Sequence, residues 1–133
     1  MSPESRTSAG LLLIILPTVI IGGVSILTLL VRDPRYRQNP LRQQLWRAGH
    51  AHAGVLLILS LLALLYVDQT DLSEQWKQVV RAAVPTAAIF LPAAFFLSVL
   101  RPTATRPNAL INLAYVGAVV LAIGLIVLGI GLL

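Results

Sequence analysis

Apolar positions in this chain fall into four long runs. Residues 7–31, 48–67, 82–100 and 107–133 contain no Asp, Glu, Lys or Arg. Each run is close to or beyond the ~20 residues that cross a hydrocarbon core of ~30 Å. Leu11–Leu30 and Leu110–Leu133 lack the polar face that a water-facing helix keeps. The pattern predicts an all-α polytopic membrane protein, a single four-helix transmembrane domain over residues 1–133, with helices over 10–31, 48–67, 78–100 and 108–132.

Composition sharpens this picture. Hydrophobic residues make up 57% of the 133 positions and charged residues 11%, against roughly 25% charged in soluble domains. There are too few polar groups to cover a water-exposed surface. The first run is longer than the ~7–15 residues of a signal-peptide core, so it reads as a retained helix behind a short polar tail, Met1–Ala9, expected to fray. Between the runs, Asp33-Pro34 and Asn39-Pro40 are turn signals. Trp46 and Trp76 suit headgroup depth. Leu72–Trp76 reads as a capped, amphipathic helix start, and Asn108 as an N-cap.

The net charge of +5 would suit a nucleic-acid partner only if it formed a soluble basic face. Instead Arg32, Arg35, Arg37, Arg42 and Arg47 crowd one loop between apolar runs, where arginines set topology and meet anionic lipid. With Arg101 and Arg106, the first and third loops hold seven basic residues; the other side holds Arg6, Lys77 and Arg81. The positive-inside rule then puts loops 32–47 and 101–107 in the cytoplasm and both termini outside a cell membrane.

The two halves resemble one another. Pro17-Thr18 precedes Arg32 as Pro85-Thr86 precedes Arg101, and Asn39 and Asn108 each stand two residues before a Leu. A duplicated helical hairpin would leave this trace, as parallel repeats do in some carriers.

Helix association in lipid needs close approach or hydrogen bonds, because lipid tails compete equally for apolar surface. Gly117, Gly124 and Gly131 recur every seven residues, with Ala114 and Ala118 beside them. Such a stripe serves packing within the bundle or between subunits. Gly22, Gly23, Gly49, Ala53 and Gly54 offer further close approaches. Pro92, deep in the third helix, removes a backbone hydrogen bond and is read as a kink or a hinge. Asn112, about one turn into the fourth helix, is the buried polar group hardest to satisfy there, and is expected to face another helix, with His50 or His52 as partner.

Catalytic constellations are sparse. No acid lies within any run and there is no cysteine, so a serine-hydrolase triad, a carboxylate metal site and thiol chemistry have no residues to build from. One segment stands apart: Trp46-Arg47-Ala48-Gly49-His50-Ala51-His52-Ala53-Gly54. Residues two apart on a helix point about 200° apart, so His50 and His52 cannot share one ion. Either alone can ligate a haem iron among small neighbours, with Arg47 one turn away to meet a propionate or a lipid phosphate.

Arg47-Ala48-Gly49-His50 is similar to the start of the second helix in membrane-associated eicosanoid and glutathione metabolism proteins. There an Asn and a Glu follow and help bind glutathione; here His52, Ala53 and Gly54 follow, and the resemblance stops short of that ligand. The His-Ala-His start is also similar to haem-ligating helices of respiratory membrane proteins. Three functional expectations result. The first is a non-enzymatic accessory or assembly subunit, homo-oligomeric or part of a larger complex. The second is a haem- or metal-binding redox protein, and the third a small oligomeric carrier or channel.

Overall fold

A computed structural model describes residues 1–133. It is all helical: α1 (Pro3–Ile15), α2 (Pro17–Arg32), α3 (Pro34–Arg37), α4 (Pro40–Val67), α5 (Glu74–Ser98), a 3-10 turn (Ala109–Asn112) and α6 (Leu113–Leu132). Four helices are long and apolar enough to span a membrane: Pro3–Arg32, Pro40–Val67, Glu74–Ser98 and Ala109–Leu132. The chain is a polytopic four-helix bundle in which α5 packs between α4 and α6, and the first spanning helix lies against α4.

Several boundaries move outward from the apolar runs, for one reason. Ser2-Pro3, Asp33-Pro34 and Asn39-Pro40 each start a helix. Ser2, Asp33 and Asn39 accept from the backbone N–H of Ser5, Arg35 and Arg42, and each proline takes the first helical position, where its missing N–H costs nothing. The first helix therefore begins at Pro3, not near residue 10, and the tail expected to fray forms its N-cap and about its first two turns. The turn signals in the first loop are helix N-caps, so the second helix starts at Pro40 rather than near residue 48. Asn108 caps as expected, accepting from Leu110 N at 2.8 Å. Ser73 occupies the N-cap position of α5 without a side-chain cap bond.

Two prolines inside spanning helices behave differently. Pro17 interrupts the first helix between α1 and α2. Pro92 is buried in α5, which continues through it as α-helix to Ser98.

The core has two contiguous clusters. Leu12, Leu56, Leu57, Leu64, Ala87, Ala88 and Leu91 join the first helix to α4 and α5; Ala63, Val67, Val80, Val84 and Leu128 join α4, α5 and α6. Ala87, Ala94 and Val84 are wholly buried, so α5 presents small and β-branched side chains inward and lets its neighbours close in. The glycine stripe of α6 lies on this face. A methyl group at Gly124 would stand 2.9 Å from Ala83 Cβ, one at Gly117 3.0 Å from Leu91 Cγ, and one at Gly131 2.5 Å from Leu72 Cγ. The stripe is spent inside the chain. Ala114, beside it, is half-buried, and Ala118 is exposed.

The C-terminus of α5 is closed by side chains from elsewhere. An α-helix leaves its last four carbonyls without intrahelical donors, and in lipid each costs several kcal/mol if unpaired. Here the carbonyl of Phe95 accepts from Ser98 Oγ, Phe96 from Trp46 Nε1 at 3.2 Å, Leu97 from Asn108 Nδ2, and Ser98 from Asn108 N. Trp46, placed at headgroup depth by its residue type, is thus a cap for a neighbouring helix.

Candidate functional site

One polar constellation lies within the first half of α4 and another just past its C-terminal end. The one visible in the sequence is the His50–His52 segment. Each histidine meets a different neighbour, as their spacing requires. His50 lies in a notch of α2: methyl groups at Gly23 and Gly22 would stand 3.1 Å and 3.6 Å from its ring. Gly22 and Gly23, read as mid-helix packing residues, thus make room for an imidazole, and His50 forms no hydrogen bond with the chain. His52 is exposed and stands against Phe95, ring centroids 5.1 Å apart. Its Nδ1 is 2.7 Å from the Ala48 carbonyl. A carbonyl oxygen carries no proton, so Nδ1 is the donor and Nε2 keeps its lone pair when the ring is neutral. Arg47, one turn before, is exposed. No group of three or more His, Cys, Asp or Glu gathers anywhere in the chain.

Asn112 is exposed rather than buried, and its side chain bonds neither histidine. The reason is local: residues 109–112 form a 3-10 turn and α6 begins only at Leu113. Asn112 is therefore at the rim of the bundle, where water and headgroups satisfy an amide, and not one turn inside it.

The second constellation escaped the sequence reading. Arg81, on the second turn of α5, has a side chain 5% exposed and is surrounded by polar groups from three elements. Its Nη2 is 2.7 Å from Asp68 Oδ1, its Nη1 pairs with Glu74, and its Nε donates to Ser5 Oγ at 3.0 Å. Nη2 also reaches Ser2 Oγ at 3.2 Å. Ser5 Oγ in turn donates to Asp68 Oδ1 at 2.9 Å, and the Ser2 backbone N–H to Asp68 Oδ2. The result is a clasp that fastens the start of the first helix to the end of α4 and the start of α5. Burial of Asp68 works to raise its pKa, and is outweighed by hydrogen bonds from Arg81, Ser2 and Ser5, which hold it at about 2. Two signals could have found this clasp. Glu74 and Arg81 are seven residues apart, on one helix face. Ser2-Pro3 announces a helix start that brings Ser5 to the end of the bundle.

A second arginine environment lies at the N-terminal end of α4. The Arg42 guanidinium stands 4.1 Å from the Trp46 ring centroid and also flanks the Tyr36 ring, a cation–π arrangement. Arg42 Nη2 donates to the Leu100 carbonyl at 3.3 Å. Tyr36 is buried, which raises its pKa against the opposing charges of Arg42 and Arg47, so it stays a neutral phenol. Asn39 Nδ2 donates to the carbonyls of Pro102 and Ala104, both at 3.0 Å. These bonds fasten the first loop to the third.

Comparison with protein-family models, curated proteins and solved structures finds no match to this chain.

Proposed function

We propose that this small membrane protein works by helix association, as an accessory or assembly subunit of a larger membrane complex. The observation that carries the reading is the lopsided packing of the first spanning helix. α2 has no buried residue, and Ile20, Ile21, Val24, Leu27 and Val31 are exposed along it. Yet the N-terminal end of this spanning helix is fixed by a five-residue polar clasp centred on the buried Arg81 and Ser5. A helix anchored firmly at one end and covered on one flank presents a stable apolar surface to another transmembrane helix. The glycine stripe of α6 is already occupied by α5 and Leu72, and α2 is the docking face in this reading. The arginine bias supports a placement with both termini outside and loops 32–47 and 101–107 in the cytoplasm.

Mild solubilisation followed by copurification tests the proposal. A photo-crosslinker at Ile20 or Val24 is expected to capture a defined neighbour, a second copy or another protein, whereas one at Leu57 is not. A monodisperse monomer with no crosslinked species at either α2 position overturns it.

One observation favours a second reading, a haem- or metal-linked role. The His52 ring is fixed by its bond to Ala48, and its exposed Nε2 is the atom that a metal takes. The small residues Ala51 and Ala53 flank it in sequence. An absorption spectrum after haem-replete expression decides: a Soret band lost in His52→Ala supports this role, and a featureless spectrum removes it.

A further inference from the structure

The geometry points to a binding site for an anionic glycerophospholipid at the end of the bundle where the third loop folds over, with Arg101 and Arg106 as the phosphate-binding residues. Residues between Leu97 and Leu110 line a surface depression of about 820 Å³ with both polar and apolar side chains. Arg101, Arg106, Thr103 and Thr105 supply polar lining; Leu97, Leu100 and Leu110 supply apolar lining. Leu100 is 57% exposed and Leu110 43%, so the apolar lining is open to a ligand. A second depression shares Thr103, Ala104 and Thr105 and adds Arg35 from the first loop.

Three features select the ligand. The first is charge. Both ion pairs of the chain belong to Arg81, at the other end. No carboxylate lines either depression, and the one acid of these loops, Asp33, is engaged in capping Arg35 N at 2.9 Å. The guanidinium groups of Arg35, Arg101 and Arg106 form no ion pair within the chain. The second is form. Asn39, Asn108 and Arg42 hold the third loop through its backbone carbonyls and those beside it, so the arginines sit on a fixed support rather than a loose loop. The third is amphipathy. A free inorganic phosphate has no use for the leucine lining, whereas a phospholipid carries its phosphate and its acyl chains in that order. The site lies where the spanning helices end, at the level where headgroups begin. Guanidinium forks bind phosphate oxygens bidentately.

Native mass spectrometry of the full chain in detergent, with added phosphatidylglycerol, phosphatidylcholine or inorganic phosphate, is the test. Phosphatidylglycerol adducts are expected to survive at activation energies that strip phosphatidylcholine. The double variant R101Q/R106Q is expected to weaken retention on the order of tenfold, in line with the contribution of basic residues near anionic lipid. R6Q, which removes an exposed charge at the far end, leaves retention unchanged. T105E places a carboxylate between the two depressions and weakens binding without removing an arginine. Equal retention of both lipids overturns the proposal, as does retention unchanged in both R101Q/R106Q and T105E. Displacement of the lipid by millimolar inorganic phosphate would make this a free-anion site and overturn it as well.

Discussion

The first and last spanning helices are about equally apolar and are held by different physics. α6 is held by shape. Gly117 and Gly124 let α5 approach and Gly131 admits Leu72, and no polar side chain of α6 itself takes part. The first helix is held by charge at one end: Ser2 and Ser5 enter the Arg81–Asp68–Glu74 network, while beyond Pro17 only partial packing follows. Hydropathy alone would rank these two helices alike. What separates them is the spacing of small residues in one and a few polar groups in the other.

This contrast can be broken from either side. The largest effect is expected from Asp68→Ala, which leaves a nearly buried guanidinium short of its main partner. Losing one member of a buried ion pair costs about 3–5 kcal/mol, and Glu74, more exposed, compensates in part; a loss of about 3 kcal/mol in detergent unfolding is expected. Arg81→Met should cost less, because the carboxylate it leaves behind, Asp68, is more exposed than the guanidinium and keeps its hydrogen bonds from Ser2 and Ser5. If the two variants are equally unstable, the clasp is not an electrostatic device.

Gly124→Leu attacks the helix held by shape. Even one methyl there would stand 2.9 Å from Ala83 Cβ, and overpacking of this kind costs about 1–3 kcal/mol. Gly10→Leu is the matched control in the first helix, where nothing lies within 4 Å, and it should leave the melting temperature unchanged. Equal effects at Gly10 and Gly124 would erase the distinction.

Acid titration gives a smaller but cleaner signature. Asp68 has its folded pKa depressed to about 2, so its contribution is complete above the ordinary carboxylate pKa of about 4. It is lost as pH falls toward 2. Stability of the wild type should therefore fall between pH 4 and pH 2 more than that of Asp68→Asn, with no difference in slope between pH 5 and 8. The smallest change expected is at Gly23→Ala, where the added methyl meets only the His50 ring edge at 3.1 Å and the imidazole has room to give.

Much of this was legible in the sequence. Charge-free runs reveal spanning helices because lipid tolerates no unpaired charge, and heptad glycines reveal close packing because their period matches two helical turns. The clasp was hidden because Ser2, Ser5, Asp68, Glu74 and Arg81 are dispersed over 80 positions and meet only after the helices assemble. Arg81 in particular reads as one more basic residue at the outer end of the third helix until Ser5 and Asp68 arrive beside it. Asn112 was misplaced by one helical turn, because a 3-10 start and an α start share the same N-cap. The histidines were placed on the right helix and in opposed directions, yet nothing in residues 46–54 names Gly22 and Gly23 as the wall behind His50.

The sealed end of α5 has a consequence for biosynthesis. Trp46 has already left the ribosome when Phe96 is made, but Asn108, which satisfies Leu97 and Ser98, follows ten residues behind Ser98. Until it arrives, the third helix lacks donors for its last two carbonyls, and its end is sealed only once the next segment has been delivered.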